Sequence, residues 1–307
     1  MEDVSSVIAH GQMPIQRKIC IMDISSPQNA VVKLLVKLRK DGDYRMETHR
    51  FLIDGPRAVQ MAFESKPECI ERLILSEKLA GAEFRFFRDA AVKLKPASPI
   101  DGHAIIPLGT DAPALITVTG DVYKKLSGAR TPQGVMALAR MNVCSLQSIC
   151  SRSRGLTLVL DSVQDPGNVG TLVRSAVAFG ATGVVCLNGC ADPWNDKSVR
   201  SSAGAIVAVP CVKSSADDWL KTMDLQMSES SGREIIGTSA HTGESIDNFK
   251  PGDSPVLIIG SEADGIRESV SARVSRWLNI PMASKVESLN ASVAGALAMY
   301  MISRSLR

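Results

Sequence analysis

Three stretches of this chain combine the residue types that grasp anions and place a nucleophile. The first, Asp161 to Arg174, reads D-S-V-Q-D-P-G-N-V-G-T-L-V-R. Pro166 and Gly167 predict a tight turn that leaves Asn168 at a helix N-terminus, with Arg174 further along the helix. An Asn cap and a surface charge account for that pattern; so does an Asn–Arg pair closing on a phosphate. The second, I-I-G-S-E-A-D-G-I from Ile258 to Ile266, places Gly260 directly after a buried run, where a ligand can approach the backbone, and has Glu262 begin the next helix. The third runs from Ile280 to Arg304. Ser284, Lys285, Glu287, Ser288, Asn290 and Ser292 crowd a connection where a helix start needs only one capping residue. Loops that end a strand and start a helix present free N–H groups, which is how α/β proteins bind anions and cofactors. An over-capped helix is the plainer reading.

The elements around these loops alternate. From Leu156, L-T-L-V-L-D reads as a buried strand, Asp165 to Gly170 as a turn, and T-L-V-R-S-A-V-A-F-G as a helix ended by Gly180. Strands follow at G-V-V-C-L, Glu234 to Gly237 and Val256 to Gly260, with helix starts at Ser198 to Ala205 and Ile266 to Val270. This is an α/β domain with a mostly parallel sheet. Upstream, S-P-Q-N-A-V-V-K-L-L-V-K-L-R-K from Ser26 predicts a helix with Pro27 at its first position and Lys33, Lys37 and Lys40 on its wet side. R-F-L-I-D-G and I-E-R-L-I-L-S read as strands on either side of a helix, A-V-Q-M-A-F-E, and indicate a smaller α/β domain. The stretch from Pro96 to Gly120 carries only weak strand signals, and one more apolar strand follows Gly134. The resulting division is a loose tail at 1–18, a first domain at 19–143, a linker rich in Ser, Cys and Arg at 144–155, and a second domain at 156–307.

Composition limits the function classes. With 45% hydrophobic but only 4% aromatic residues, the core must be built from Val, Ile, Leu, Ala and Met, as in parallel sheets. A net charge of +3 is too mild to signal nucleic-acid binding, so any basic surface must be local. Nine Lys/Arg against five Asp/Glu between Arg17 and Arg57 fit either phosphate contacts or a solvated helix face. The seven cysteines form no C-x-x-C pair and read as small buried hydrophobes in a reducing, intracellular compartment, cytoplasmic or organellar. No metal ligation, membrane span or signal peptide is expected. Motifs for dinucleotides, the P-loop, the esterase elbow and zinc proteases are all missing from the sequence.

D-P-G-N-V-G-T-L-V-R-S-A-V-A-F-G-A, then G-S-E-A-D-G-I, then I-P-M with S-L-N-A-S-V-A-G-A, together resemble the three motifs of the SpoU (TrmH-type) RNA 2'-O-methyltransferases of the SPOUT superfamily. The match covers Leu156 to Ser303 in family order, and K-S-V-R-S-S-A-G-A is similar to the family as well. More weakly, the first half resembles the ribosomal-protein-like RNA-binding domain of the rRNA-modifying branch. The resemblance implies a deep trefoil knot, an exception to the rule against knots. It implies S-adenosylmethionine held mainly by backbone at Gly260, Ile280 and Leu289, with Thr238, Ser239, Ala240 and Met282 nearby. It also implies a homodimer, with the helix Ala294 to Ile302 partly interface.

For mechanism, the resemblance implies a ribose 2'-hydroxyl as acceptor, activated at Arg174, with Asn168, Glu262, Ser288 and Asn290 placing the substrate. A guanidinium stays protonated in proteins, so Arg174 is better read as a phosphate clamp that stabilises the developing alkoxide. Lys197 and Arg200, with Lys33, Lys37 and Arg57 in the first domain, are the expected RNA contacts, although a salt bridge explains Lys197 and Arg200 too. rRNA is favoured over tRNA because a large domain precedes the catalytic one. The alternatives are a tRNA enzyme, a knotted methyltransferase acting on a base nitrogen, and a catalytically silent RNA-binding or ribosome-assembly factor.

Overall fold

The computed structural model describes residues 21–79, 81–92, 94, 114–152, 154–229, 233–283 and 288–306. The expected tail, most of the stretch after Pro96, and Ser284, Lys285 and Glu287 of the third polar loop lie outside them. In chain order the first unit contains β1 (Ile21–Ile24), α1 (Ala30–Lys40), α2 (Gly42–Thr48), β2 (Arg50–Asp54), α3 (Pro56–Ser65), β3 (Ile70–Ser76), α4 (Gly81–Val92), β4 (Leu115–Val118), α5 (Gly120–Leu126) and β5 (Val135–Arg140). After α6 (Leu146–Cys150) come β6 (Thr157–Leu160), α7 (Pro166–Ala178), β7 (Gly183–Leu187), α8 (Asp196–Ser201), β8 (Cys211–Ser214) and α9 (Ala216–Glu229). The chain ends with β9 (Arg233–Ser239), β10 (Glu244–Ser245), β11 (Ser254–Ile259), α10 (Glu268–Ser271), β12 (Arg276–Asn279) and α11 (Ala291–Ser305).

The first sheet has the order β1-β4-β3-β5-β2, with β5 antiparallel to both neighbours. Strand alternation sends Leu52, Ile74, Ile116 and Met136 to the face covered by α1 and α5. Phe51, Ile53, Leu73, Leu75 and Ala137 go to the opposite face, under α3 and α4. That second face is continuous with the core of the next unit, where Leu158, Leu160, Leu257 and Ile259 pack against α7 and α11. The second sheet, β10-β12-β9-β11-β6-β7-β8, is parallel throughout. Its other face packs Val159, Val185, Val256 and Ile258 against α6, α9 and α10, with Trp219 fully buried. Among the described residues no helix is long and apolar enough to cross a membrane.

Four local expectations change. Helix α1 starts at Ala30 and not near Pro27, because Asn29 N donates to Ser26 O (3.1 Å) to close a turn and the Asn29 side chain caps Val31 N (2.8 Å). Helix α7 starts at Pro166: proline presets the first helical position and Asp165 accepts from Asn168 N (3.0 Å), so Asp165, not Asn168, is the cap. Glu262 does not begin a helix. It lies in a turn closed by reciprocal backbone bonds between Ser261 and Gly265 (3.0 and 3.1 Å), and α10 begins six residues later, at Glu268. Helix α8 begins at Asp196, before Ser198, because Asn195 caps it. The segment read as a linker carries α6, whose Ile149 and Cys150 are buried against the second sheet. Elements without a clear local pattern, including α2, α4, α5 and α9, were not expected.

Candidate active site

Every strand of the second sheet is parallel, so its C-terminal ends share one edge. From β6 the chain moves outward to β7 and β8, crosses to β9 on the far side, and then inserts β11 between β9 and β6. Strand order therefore reverses at β6/β11, where loops diverge and leave a crevice for a ligand. Asp161 N donates to Ile259 O (2.8 Å) at that point.

The three polar stretches meet there. The Asn168 carboxamide, free because Asp165 does the capping, donates to Glu262 Oε1 and accepts from Asn290 Nδ2 (3.1 Å). Asn290 in turn caps α11, its Oδ1 accepting from Ser292 N (2.9 Å), Ser292 Oγ (2.6 Å) and Val293 N (3.3 Å). Glu262, Ser288 and Asn290 are exposed and Asn168 is half-buried, so the cluster faces solvent. Arg174 is exposed on α7 and makes no ion pair with a described residue. Six residues of helix separate it from Asn168, about 9 Å of rise and about 240° of rotation. On an ideal helix the two Cα–Cβ directions then lie about 120° apart, and among the described residues no hydrogen bond joins Arg174 to Asn168.

The residues expected at a cofactor gather on neighbouring strand ends. Thr238 and Ser239 close β9, with Ala240 next; Ile280 follows β12; Gly260 follows β11. Asn279 Nδ2 donates to Ser239 O (3.1 Å) and Thr238 Oγ1 to Ile258 O (3.4 Å), which locks the three ends together. Met282 and Leu289, both half-buried, lie on the β12–α11 connection. Main chain and small or apolar side chains line this edge, a donor set that fits a nucleoside read through its backbone-facing N–H and C=O groups. Gly260 has a reason internal to its own loop, since a Cβ there would collide with the Gly265 carbonyl and Ile266 N.

Two ion pairs brace the cluster. Buried Asp161 binds the Arg267 guanidinium (2.6 Å) and accepts from Arg267 N (2.8 Å). Arg267 also reaches Ser162 Oγ (2.9 Å) and the Asn188 side chain (3.0 Å), so it ties the loop that carries Glu262 to the ends of β6 and β7. Sequence reasoning missed Asp161, Arg267 and Asn188; the only local signal was an acidic residue ending an apolar strand. The second pair is Lys197–Asp165 (2.6 Å). Hydrogen bonds from Lys197 and then from Asn168 N hold the Asp165 carboxyl below the ordinary carboxylate range. Arg200 pairs with Asp196 (2.8 Å).

The other expected RNA contacts are apart. Lys33 and Lys37 are exposed on α1, with Lys37 Nζ 4.0 Å over the Tyr44 ring, whereas Arg57 is exposed on α3, across the first sheet. The six described cysteines are free; burial raises the Cys150 thiol to about 11 and Cys190 to about 12, so both stay protonated packing groups.

Residues 155–300 match the family model described as the SpoU rRNA Methylase family. The chain carries a SpoU-family methylase domain. Ahead of the SpoU domain, residues 29–137 match the MRM3-like substrate binding domain. The chain is 28% identical over 277 residues to the 23S rRNA (guanosine(2553)-2'-O)-methyltransferase RlmP of Bacillus subtilis, covering 90% of this chain and 97% of that protein. The 23S rRNA (uridine(2479)-2'-O)-methyltransferase of Streptomyces viridochromogenes is 30% identical over 170 residues, covering 55% of this chain and 59% of that one. Among solved structures, the SpoU methyltransferase AviRb from S. viridochromogenes in complex with AdoMet superposes with a TM-score of 0.71 at 25% identity, covering 90% of this chain and 98% of AviRb. An AdoMet-bound rRNA methyltransferase from Sinorhizobium meliloti superposes at 0.75 with 21% identity, over 94% of this chain and 99% of that one, and shares the fold.

Proposed function

We propose that this protein transfers a methyl group from S-adenosylmethionine to a ribose 2'-hydroxyl of rRNA. The observation that carries the reading is the convergence of Asn168, Glu262 and Asn290 beside a backbone-lined strand edge, in a chain matched along 97% of RlmP. When bound, the cofactor supplies an electrophilic methyl on a sulfonium sulfur. Thr238, Ser239, Ala240, Gly260, Ile280, Met282 and Leu289 hold it. Asn168, fixed between Glu262 and Asn290, orients the acceptor nucleotide with the help of Ser288. Arg174, a guanidinium without an ion-pair partner among the described residues, binds the adjacent phosphate and stabilises the developing oxyanion while the hydroxyl proton passes to solvent water. The first unit recruits the RNA.

A trefoil knot and a homodimer belong to the same reading. β11 inserted between β6 and β9 fits the knot's threading. Val293, Leu297 and Tyr300 form an exposed stripe on α11 at 47%, 42% and 50% exposure, suited to a second copy. Sedimentation of Leu297→Asp should give a monomer where the wild type gives a dimer; a wild-type monomer refutes the dimer.

The decisive experiment is transfer of labelled methyl to total rRNA and total tRNA, with alkali-resistant sites mapped. Label at one rRNA ribose, lost in Arg174→Ala while cofactor affinity stays within a few fold, is the expected result. Label in tRNA, or on a base, moves the reading to those alternatives. Neither label nor cofactor binding leaves a silent RNA-binding protein.

A further inference from the structure

The segment from Asp192 to Val207 touches both units and the catalytic cluster. At its start, Arg45 of α2, only 4% exposed, directs Nε and Nη2 to Asp192 Oδ2 (2.9 and 2.5 Å). The same guanidinium donates to Leu38 O (2.6 Å) and Arg39 O (2.9 Å), so it is fixed to the end of α1. At its end, Gly204, with φ +82°, lies so close to Ala58 of α3 that a Cβ would collide with the Ala58 carbonyl. The first unit thus clamps this segment twice.

Between the clamps the segment supports the turn that carries Asn168. Asp192 O accepts from Asn195 Nδ2 (2.6 Å) and Ser198 Oγ (3.0 Å), and Asn195 Oδ1 accepts from Lys197 N and Ser198 N (both 2.9 Å). Lys197 Nζ then reaches Asp165 Oδ2 (2.6 Å), whose other oxygen caps Asn168 N (3.0 Å). A second, independent contact lies two residues further along α7. Gly170 sits against Ser198 O and Ser201, with no room for a Cβ, so α7 and α8 touch backbone to backbone. Fully buried Ser198 lies at the junction of both routes.

We propose that Arg45 and Asp192 are positioning residues for methyl transfer: through the Asp192–Val207 segment, docking of the first unit sets the place of Asn168. The inference rests on the activity proposed above. It assigns the first unit a role in catalysis beyond holding RNA. Two guanidinium donors converge on the one oxygen Oδ2 while Oδ1 accepts from Trp194 N (3.0 Å), and the same guanidinium reaches two carbonyls of α1, so a lysine at 45 keeps the charge but not the geometry.

The test uses the full chain with Arg45→Lys, Asp192→Asn, Lys197→Met, each Lys197→Met double variant, and Arg273→Ala, whose surface pair with Asp224 lies elsewhere, as control. Arg45→Lys and Asp192→Asn should lower kcat about tenfold or more, with KM for rRNA and Kd for the cofactor within a few fold, because misplacement costs rate and not binding. Combined with Lys197→Met, the losses should be less than additive, as expected for one chain of contacts. Hydrogen exchange, which needs no turnover, should quicken at Val169 to Leu172 in both variants and stay unchanged in the control.

Additive losses, a fall in kcat matched step for step by cofactor affinity and unfolding midpoint, or faster exchange confined to residues 192–201 would each overturn the proposal. If the wild type methylates no rRNA, the assigned reaction fails, while exchange at Val169 to Leu172 still decides whether the docking contact positions Asn168.

Discussion

In the first sheet the charged and polar side chains pair with one another inside the unit, whereas in the second they collect where the strands end. Buried Asp54 accepts from Tyr123 OH (2.9 Å) and Ser127 Oγ (2.5 Å), and burial beside that carboxylate raises the Tyr123 phenol far above its ordinary range. Arg50 and Glu71 likewise pair at 2.7 Å with both side chains buried. Arg140 Nε stands 3.6 Å from the other Glu71 oxygen, so the charges of this sheet are answered within the unit. Asn168, Glu262 and Asn290 also bond to one another, but at the surface, at two helix starts and a turn, beside a strand edge with main chain to offer. The difference follows from topology. An antiparallel β5 splits the loops of the first sheet between its two ends, while a parallel sheet delivers every strand's C-terminal loop to one edge.

That contrast can be broken at several points. The largest effect is expected at the brace beneath the loops. Asp161→Ala leaves the Arg267 guanidinium without its carboxylate against the sheet, and should cost about 3 kcal/mol or more, read as a lower urea midpoint. Next, Glu262→Gln keeps the shape and one acceptor oxygen for Asn168 but removes the negative charge and puts an amide donor where the second carboxylate oxygen was. Single-turnover methyl transfer should fall on the order of tenfold to a hundredfold with an unchanged midpoint, and a midpoint that falls in step would make Glu262 structural like Glu71.

A smaller change is expected from Tyr123→Phe, which removes one of the two donors to Asp54. It should lower stability by about 1–2 kcal/mol and leave transfer per folded molecule unchanged; a specific loss of transfer would erase the distinction between the sheets. The smallest effect is that of Lys197→Met on Asp165, followed by carboxyl NMR. The Asp165 pKa should rise toward the ordinary value. Because it is depressed in the folded protein, any stability from the pair is present above the unfolded carboxylate pKa and disappears as pH falls through the folded one. Both partners are about half exposed, so the difference at neutral pH should stay below about 1 kcal/mol.

The strands of the second unit were readable because they are buried on both faces and appear as unbroken apolar runs, such as L-T-L-V-L and G-V-V-C-L. Shorter or less regular elements, such as α2 and β8, carry too few residues to show a period. The helix start at Pro166 was misplaced because Pro-Gly reads as a turn locally, and the Asp165 cap that overrides it depends on geometry.

By itself, the sequence determined the element types around the site, the order of three polar loops after apolar strands, and the residue types available in each. Those properties are local, set by side-chain period, by proline and glycine, and by capping. Tertiary structure decided the pairings. Asn168 meets Glu262 across 94 residues and Asn290 across 122, and Arg267 reaches Asp161 across 106. It also separated Arg57 from Lys33 by a whole sheet. Such distances depend on which strands lie side by side, and strand order is a property of the packed chain as a whole.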